Sequence, residues 1–574
     1  MLELTHSVDI RKFRDQMLDD MDLERERGIT IKSHPVTMQV DNDGEHLEFN
    51  LIDTPGHVDF AYEVSRSMAA CEGALLLVDA AQGVEAQTVA NSYLAIERNL
   101  VIIPVINKID LPNADIVEAM RQVEDVLAIP AEECLAVSAK TGQGVPELIK
   151  AIIERVPPPQ SAGTDAPARA LVFDSFFDAF RGVVACVRLV DGTIRRGERV
   201  KYMASGADTE VKEVGIFAPK PRATDYLEAG DVGYIIGTLK NPADVKIGDT
   251  ITAVRFPSDK PLPGFREIKP MVFSGLYPVD TNDFEKFRQS LEKLSLNDAA
   301  FTWHPESCAA LGFGFRCGFL GLLHMEIVQE RLRREFDMDI ISTHPAVIYK
   351  VYMRNGKVID IDNPLELPDP TVMDHVEEPM IKASIICHNE HIGDLMKLIM
   401  DRRGEVLRTD SMDTKRVMLI CSLPLNEILT DFHDMMKSAT RGYASMDNEL
   451  AGYQESDIVK LDILLNAEPV DAFSSLVHRS RAVVRGRQIC KALKEEIPPH
   501  MFAVPVQAAL NRSVIARETI RAFRKDVTAK LYGGDITRKR KVLEKQKEGK
   551  KRMKQFGQVH VPQKAFVAVL KGDS

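Results

Sequence analysis

The chain has 574 residues, of which 45% are apolar and 28% charged, and its formal net charge is −12. These proportions are ordinary for a globular protein, and the length predicts several domains. No apolar run approaches a membrane span, no signal-peptide pattern precedes the first domain, and the eight scattered cysteines form no CxxC pair. Membrane-spanning and disulfide-stapled classes are therefore excluded, and reduced thiols in the cytoplasm are expected.

Residues 1–156 alternate between apolar strands and amphipathic helices. Four strands and four helices are predicted, at 48–53, 74–79, 101–106 and 134–138 and at 59–70, 85–98, 114–128 and 145–155. This alternation is typical of a doubly wound parallel sheet, which binds ligands at the carboxyl ends of its strands.

The strand at 101–106 ends in the tetrad Asn107-Lys108-Ile109-Asp110. The Asp110 carboxylate can accept hydrogen bonds from guanine N1–H and the 2-amino group together, a donor pair that adenine lacks. Lys108 can lay its alkyl stem on the base, and Asn107 can tie the loop to its neighbours. Taken alone, the tetrad also fits an ordinary polar loop after a strand.

Three companion loops favour a guanine nucleotide site. Asp53, at the end of the strand 48–53, can hold Mg²⁺ through water, and the Gly56 amide can meet a γ-phosphate. Thr30 offers a hydroxyl to the same metal. After the last strand, Ser138-Ala139-Lys140 can present the Ala139 amide to the guanine oxygen. Four loops in this order predict a GTPase and make the ordinary polar loop the weaker interpretation.

One segment of such a site is not found. A P-loop GTPase carries Gly-x-x-x-x-Gly-Lys-Ser/Thr after a strand, and no stretch of the chain has this pattern. Residues 1–21 instead begin like the inside of a helix. We expect that the front of the chain is cut. The central P-loop strand would then be missing between the strands at 48–53 and 74–79.

The middle of the chain predicts three further domains. After the linker 157–167, short alternating runs with turn signals predict a small antiparallel β-barrel at 169–255. Residues 265–350 predict an α+β domain, and 378–465 follow the order strand, helix, strand, strand, helix, strand. We expect two ferredoxin-like domains here. The glycine-dense stretch 312–326 is interpreted as a packed turn leading into a helix at 319–335. A ligand loop is the less favoured alternative.

The last part of the chain, 466–574, is basic. From residue 471 onward it carries 24 Lys or Arg against 9 Asp or Glu, and ten of the seventeen residues at 538–554 are basic. The remaining body is then acidic, with a net charge of −27. Such a run is often a solvated or disordered face, but interleaved aromatic residues favour phosphate binding. The candidate RNA-binding residues are Lys539, Arg540, Lys541, Lys550, Lys551, Arg552 and Lys554.

The chain resembles the translational GTPases and, among them, the elongation factor 4 (LepA) family. Segments 21–30 and 53–57 carry motifs shared by translational GTPases, whereas 312–326 and 532–557 are specific to this family. The resemblance covers essentially the whole chain and departs at the front. There, family members carry roughly thirty more residues with the P-loop, as judged from ordinary strand and helix lengths.

The resemblance implies a ribosome-bound GTPase that uses GTP and Mg²⁺ and moves tRNAs backward by one codon under stress. It also implies a monomeric cytoplasmic protein in peripheral contact with the inner membrane. His57 is the candidate catalytic residue, because an imidazole can orient the attacking water where small GTPases use glutamine. A second hypothesis, a nucleotide-free protein that binds the ribosome or RNA, stays open because the P-loop pattern is absent.

Overall fold

The computed structural model of the chain describes residues 1–8, 16–19, 21–42, 44–178, 180–239, 244–265, 269–308, 311–511, 513–523, 540–541, 543–547 and 561–571. The predicted motif at 532–535 lies outside these residues, as do Lys539, Lys550, Lys551, Arg552 and Lys554. Among the described residues, no helix is long and apolar enough to cross a membrane.

The first unit is the predicted parallel α/β domain. Its elements are α1 (Asp22–Arg27), β1 (His34–Asn42), β2 (Glu45–Asp53), α2 (Ala61–Met68), β3 (Gly73–Asp79), α3 (Ala86–Glu97), β4 (Val101–Asn107), α4 (Ile116–Leu127), β5 (Leu135–Ala136) and α5 (Val145–Arg155). Strands β3, β4 and β5 form a parallel sheet in that order. Helix α4 packs on this sheet because its apolar residues recur at helical spacing, with Val123 fully buried.

The strand predicted at 48–53 is not part of the parallel sheet in the described structure. Strands β1 and β2 pair only with each other, as an antiparallel hairpin. Ile52 of β2 packs instead against the apolar core of the next unit. Leu77 of β3 is 60% exposed, although its strand is otherwise apolar. A parallel strand is normally covered on both sides, so this exposure marks an uncovered part of the sheet.

The second unit is the predicted antiparallel β-barrel. Its strands are β6 (Arg169–Asp178), β7 (Gly182–Asp191), β8 (Thr193–Arg195), β9 (Arg199–Tyr202), β10 (Asp208–Glu210), β11 (Glu213–Ala218), β12 (Lys220–Thr224), β13 (Tyr226–Glu228), β14 (Val232–Ile236) and β15 (Thr250–Ala253). Eight of them form one antiparallel sheet in the order β10-β9-β15-β6-β7-β14-β11-β12. Alternate residues of these strands bury one aliphatic core.

The third unit has the predicted ferredoxin-like topology. Its elements are β16 (Val272–Pro278), α6 (Phe284–Ser295), β17 (Thr302–Cys308), β18 (Gly312–Phe319), α7 (Leu322–Phe336) and β19 (Ile340–Ser342). The sheet order β17-β18-β16-β19 is that of a split βαβ fold.

The interpretation of the glycine-dense stretch as a turn is wrong for residues 312–319, which form the strand β18. Phe315, Cys317 and Phe319 alternate inward and are fully buried. The glycines between them give room to neighbouring strands, since a Cβ at Gly314 would lie 2.4 Å from Tyr277 Cδ1. Glycine is required here by close packing within a sheet, which glycine density alone does not distinguish from a turn.

The fourth unit is the second ferredoxin-like domain, preceded by a hairpin. Its elements are β20 (Tyr349–Met353), β21 (Val358–Ile361), β22 (Met373–His388), α8 (Ile392–Asp401), β23 (Glu405–Ser411), β24 (Arg416–Pro424), α9 (Leu425–Ile428), α10 (Phe432–Ala439) and β25 (Ser445–Glu455). Strand β22 lies between β24 and β25. This unit packs on the first one, because the Ala86 amide donates to Ser445 Oγ and Arg416 donates to the Val84 carbonyl.

The last unit is a sheet with helices packed against it. Its described elements are β26 (Ile458–Leu465), β27 (Glu468–Pro469), β28 (Ser475–His478), α11 (Arg479–Glu496), β29 (Val504–Leu510), β30 (Ser513–Ile520) and α12 (Gln563–Lys571). Strand β26, which lies before residue 466, is hydrogen-bonded into this sheet. Phe473 stacks on Phe566 with ring centroids 4.7 Å apart, so α12 closes the core.

Candidate functional site

Asn107, the last residue of β4, joins two of the predicted guanine loops. Its Oδ1 accepts the amide of Lys108 at 2.8 Å and the amide of Ala139 at 3.0 Å. The loops meet because β4 and β5 are parallel neighbours whose carboxyl ends lie at one edge of the sheet. In this structure the Ala139 amide therefore donates to Asn107, and a guanine oxygen would have to share or replace that hydrogen bond.

Asp110 is held by the second loop in the same way. Ser138 is fully buried, and its hydroxyl donates to Asp110 Oδ1 at 2.7 Å while accepting the Thr141 amide at 3.1 Å. The Asp110 residue itself is exposed. A carboxylate fixed through one oxygen and open to solvent is suited to accept two parallel N–H groups. Lys140, which follows, is also exposed.

Lys108 and Ile109 are neighbours in the tetrad, but Lys108 is exposed whereas Ile109 is partly buried. Lys108 has a left-handed backbone, with φ of +64°, and its ammonium lies 2.8 Å from Asp79 Oδ2 at the end of β3. Burial works against the charge on Asp79, but hydrogen bonds from Lys108 and the Ala81 amide outweigh it and lower the pKa of this carboxyl. Ile109 is partly buried against the core of the first unit and anchors the turn.

The two candidate Mg²⁺ ligands lie outside the β3–β4–β5 sheet. Asp53 ends β2, and the Thr30 hydroxyl donates to Asp19 Oδ1 at 3.4 Å. Burial raises the pKa of Asp53, and the nearby Asp19 carboxylate raises it further. Burial and the Glu24 carboxylate likewise raise the pKa of Asp19. The structure thus places the Thr30 hydroxyl beside Asp19, whose carboxylate interacts with those of Glu24 and Asp53.

Among the described residues, no three or more His, Cys, Asp or Glu side chains are grouped to hold a metal ion. The donors at Thr30 and Asp53 are nonetheless of the right kind, since Mg²⁺ prefers oxygen ligands and commonly takes only one or two from protein. The carboxylates of Asp19 and Asp53 repel each other, and a divalent cation would neutralise their negative charge. The residues therefore fit Mg²⁺ in donor chemistry.

Gly56 and His57 lie in the turn that follows β2. Gly56 is exposed, and its Cβ position is open. His57 precedes the 3₁₀ turn Val58–Phe60, and its Nδ1 accepts the Asp59 amide at 3.2 Å. The His57 side chain is 37% exposed, and its ring meets Phe60 edge-on with centroids 6.4 Å apart. The imidazole is thus oriented by its own turn but remains accessible.

Of the candidate RNA-binding residues, the structure describes Arg540 and Lys541, and both are exposed. The guanidinium of Arg540 lies 3.6 Å from Glu544, one helical turn away. An exposed pair of this kind stabilises little, so both cations stay available to solvent and to phosphates.

Sequence reasoning missed three carboxylates at this site: Asp19, Asp59 and Asp79. Asp79 ends a predicted strand beside the tetrad's strand, so its position was a usable signal. Asp19 and Asp59 make contacts with distant residues, which the spacing of motifs along the sequence does not indicate.

Models of four known domain families match successive parts of the chain. They are described as elongation factor Tu GTP binding domain (residues 1–158), elongation factor Tu domain 2 (182–252), elongation factor G C-terminus (375–464) and GTP-binding protein LepA C-terminus (465–571). A solved structure from Thermus thermophilus has a TM-score of 0.56 at 17% identity and covers 79% of this chain and 94% of that one. That likeness concerns the fold alone.

Curated relatives named elongation factor 4 align along the whole chain. The protein of Geobacillus thermodenitrificans is 56% identical, with all of this chain and 94% of the relative covered. Those of Chlorobium luteolum and Chlamydia pneumoniae are 59% and 55% identical, each covered over 95% of its length along with all of this chain.

The fold, the domain models and the relatives together define a ribosome-associated GTPase of translation. Barrel and ferredoxin-like units follow its nucleotide domain in the order of the matched elongation factor models. Because full-length relatives share 55–59% identity, the chain belongs to the elongation factor 4 (LepA) family. Its established activity by family is GTP hydrolysis.

Proposed function

We propose that this protein moves tRNAs backward by one codon on the ribosome and so supports accurate protein synthesis under stress. The observation that carries the nucleotide part is the hydrogen bonding of both guanine loops through Asn107. The backward direction is supported by membership of the elongation factor 4 family and by the LepA C-terminal domain at 465–571.

The guanine base would be recognised from two sides. The Asp110 carboxylate would accept guanine N1–H and the 2-amino group, with the Ser138 hydroxyl fixing it through Oδ1. The Lys108 stem would cover the base while Asp79 holds its ammonium. The Ala139 amide would meet the guanine oxygen. Because these groups are held before the base arrives, little ordering is needed on binding.

The phosphate side would use the turns around β1 and β2. The Gly56 amide would meet the γ-phosphate, and His57 would orient the attacking water. Thr30 and Asp53 would hold Mg²⁺, with Asp53 acting through water. When bound, this ion supplies neutralisation of the phosphate charge.

The experiment is a toeprint of ribosomes carrying two tRNAs after translocation. For hydrolysis-competent protein, a version of the chain with a P-loop segment joined ahead of Met1 is used. With GTP, this protein should shift the toeprint backward by one codon. The His57→Ala protein should not complete repeated rounds of this shift, because it does not hydrolyse GTP. An unmoved toeprint at saturating protein would refute the backward direction.

A titration of ribosomes with this protein distinguishes the second candidate function from the first. A nucleotide-free ribosome-binding protein would occupy ribosomes equally with GTP, with GDP and without nucleotide. The first proposal requires ribosome affinity that depends on GTP. Equal affinities in the three conditions would favour the alternative and contradict the nucleotide-driven cycle.

We further propose a monomeric cytoplasmic protein that contacts the inner membrane peripherally. Support comes from the 24 Lys or Arg against 9 Asp or Glu after residue 470, since basic segments bind anionic lipid surfaces. Flotation with vesicles of anionic lipid should recover the protein, and vesicles of neutral lipid should not. Equal recovery or no recovery would contradict the membrane contact, and light scattering checks the monomer.

A further inference from the structure

Helix α7 of the third unit begins against the first unit. Its N-cap residue, Gly321, has no side chain to accept the free amides of the first turn. The amide of His324 donates instead to Asp59 Oδ2 at 3.2 Å, across a sequence separation of 265 residues. Asp59 lies in the turn that begins with His57, so one domain caps a helix of another.

The contact with Asp59 requires a glycine at position 321. A Cβ placed there would lie 2.2 Å from Asp59 Oδ1 and 2.3 Å from its Cγ. The backbone at Gly321 is extended, with φ of −167°, so an L-residue can adopt its conformation. The requirement for glycine is therefore space for the Asp59 carboxylate, and it explains one glycine of the stretch at 312–326.

The same carboxylate residue orients His57. The Asp59 amide donates to His57 Nδ1 at 3.2 Å. Phe60 lies between the two histidines, edge-on to His57 at 6.4 Å and to His324 at 6.2 Å between ring centroids. Asp59 thus makes both contacts: its Oδ2 caps α7, and its backbone amide holds His57.

His324 is itself anchored on the side of the third unit. Its Nδ1 accepts the Leu320 amide at 3.0 Å, and its Nε2 lies 2.8 Å from Asp298 Oδ2. The side chain is 3% exposed. Because Nδ1 is an acceptor, Nε2 carries the proton toward Asp298. The first turn of α7 is therefore a rigid support and not a frayed end.

We propose that Asp59 is a positioning residue for GTP hydrolysis, through which helix α7 sets the orientation of His57. This inference rests on the proposed role of His57. A displacement of the third unit relative to the first, such as ribosome binding would impose, withdraws the α7 amide from Asp59 and releases His57 from its present orientation. The third unit thereby controls hydrolysis without touching the nucleotide.

The contact is tested in the 574-residue chain by amide hydrogen exchange. Asp59→Ala should speed exchange in the first turn of α7 and at 57–62 by roughly fivefold to tenfold, the usual effect of a lost N-cap. Gly321→Ala should do the same by displacing the carboxylate. Added to Asp59→Ala, it should have little further effect.

Gly318→Ala is the matched control. A Cβ at Gly318 would lie 2.5 Å from Thr302 Oγ1, inside the third unit and away from Asp59. Its effect should add to that of Asp59→Ala and leave exchange at 57–62 unchanged. Additive effects of Gly321→Ala and Asp59→Ala would overturn the contact.

The positioning role is tested by ribosome-stimulated GTP turnover in the version carrying a P-loop segment. Asp59→Ala should lower kcat at least fivefold with the KM for ribosomes unchanged, because only the orientation of His57 is lost. Asp59→Asn should stay within threefold of the unsubstituted protein, since its amide oxygen still accepts from His324.

Failure of the positioning role of Asp59 can be distinguished from failure of the proposed role of His57. Turnover of Asp59→Ala close to the unsubstituted protein, with His57→Ala inactive, overturns the positioning role alone. Full turnover by His57→Ala overturns the proposed role of His57, and the positioning inference falls with it. A loss in Asp59→Asn as large as in Asp59→Ala also overturns the inference, because the hydrogen-bond acceptor would then not be what matters.

Discussion

Glu24 supports the segment that carries Thr30, and its removal gives the most quantitative prediction. The side chain is fully buried on α1. Oε1 accepts the amides of Ile31 at 2.9 Å and Lys32 at 3.2 Å, and Oε2 accepts the Met21 amide at 3.0 Å. Burial opposes its charge, but the His34 imidazole, with Nε2 3.8 Å from Oε1, and the hydrogen bonds from these amides outweigh it and lower the pKa of Glu24. Its stabilising contribution is therefore present above pH about 4.3 and is lost as pH falls through the lower folded pKa.

Glu24→Ala leaves three amides without their acceptor. At about 1 kcal/mol or more for each, the segment should lose roughly 3 kcal/mol of local stability. Since about 1.4 kcal/mol is a factor of ten, its amide exchange should accelerate on the order of 100-fold. Glu24→Gln keeps one oxygen for Ile31 and Lys32, so it should lose about one hydrogen bond and accelerate exchange roughly fivefold.

Hydrogen exchange measured by mass spectrometry over residues 28–36 is the assay. Glu26→Ala is the matched control, because Glu26 is an exposed carboxylate on the same helix and, among the described residues, pairs with the half-exposed Arg334. It should change exchange less than threefold, as surface ion pairs contribute at most about 1 kcal/mol. Exchange in Glu24→Ala within threefold of the unsubstituted chain, or equal effects of the Ala and Gln changes, would refute this account of the segment.

Three further predictions concern binding. Asp110→Asn, in a version with a P-loop, should shift preference from GTP toward xanthosine triphosphate in competition binding, because the carboxylate acceptor is lost; unchanged preference would contradict base recognition. Neutralising Lys550, Lys551, Arg552 and Lys554 should weaken ribosome binding and flatten its log-log salt dependence by about one unit per lost phosphate contact, and an identical slope would rule this out. Residues 1–574 expressed as they stand should bind GTP weakly by titration, because they include no P-loop amides and lysine; micromolar binding would be the contrary result.

The meeting of the loops at 107–110 and 138–140 and the helix faces were predictable because both follow from local periodicity. Val123 recurs in register with the apolar face of α4, and Asp110 follows an apolar strand at the edge where parallel sheets bind ligands. The sequence even indicated that Asn107 would tie its loop to a neighbour. These signals lie within a few residues of the groups they position.

The rest depends on contacts between distant segments. Gly314 and Gly318 lie in a strand whose neighbours leave no room for side chains, whereas glycine density in a sequence favours a turn. The Asp59–His324 hydrogen bond spans two domains, so no spacing within either domain predicts it. Glu24 resembles any exposed helix acid until Ile31 and Lys32 fold over it.

Hydrolysis by this GTPase should depend on the ribosome and on His57. GTP turnover with and without ribosomes measures both dependences, in the version with a P-loop segment and in its His57→Ala variant. We expect ribosomes to raise turnover on the order of 100-fold or more, and His57→Ala to abolish this rise while GTP affinity stays nearly unchanged. Turnover that ribosomes do not stimulate, or stimulated turnover in His57→Ala close to that of the unsubstituted protein, would contradict this expectation.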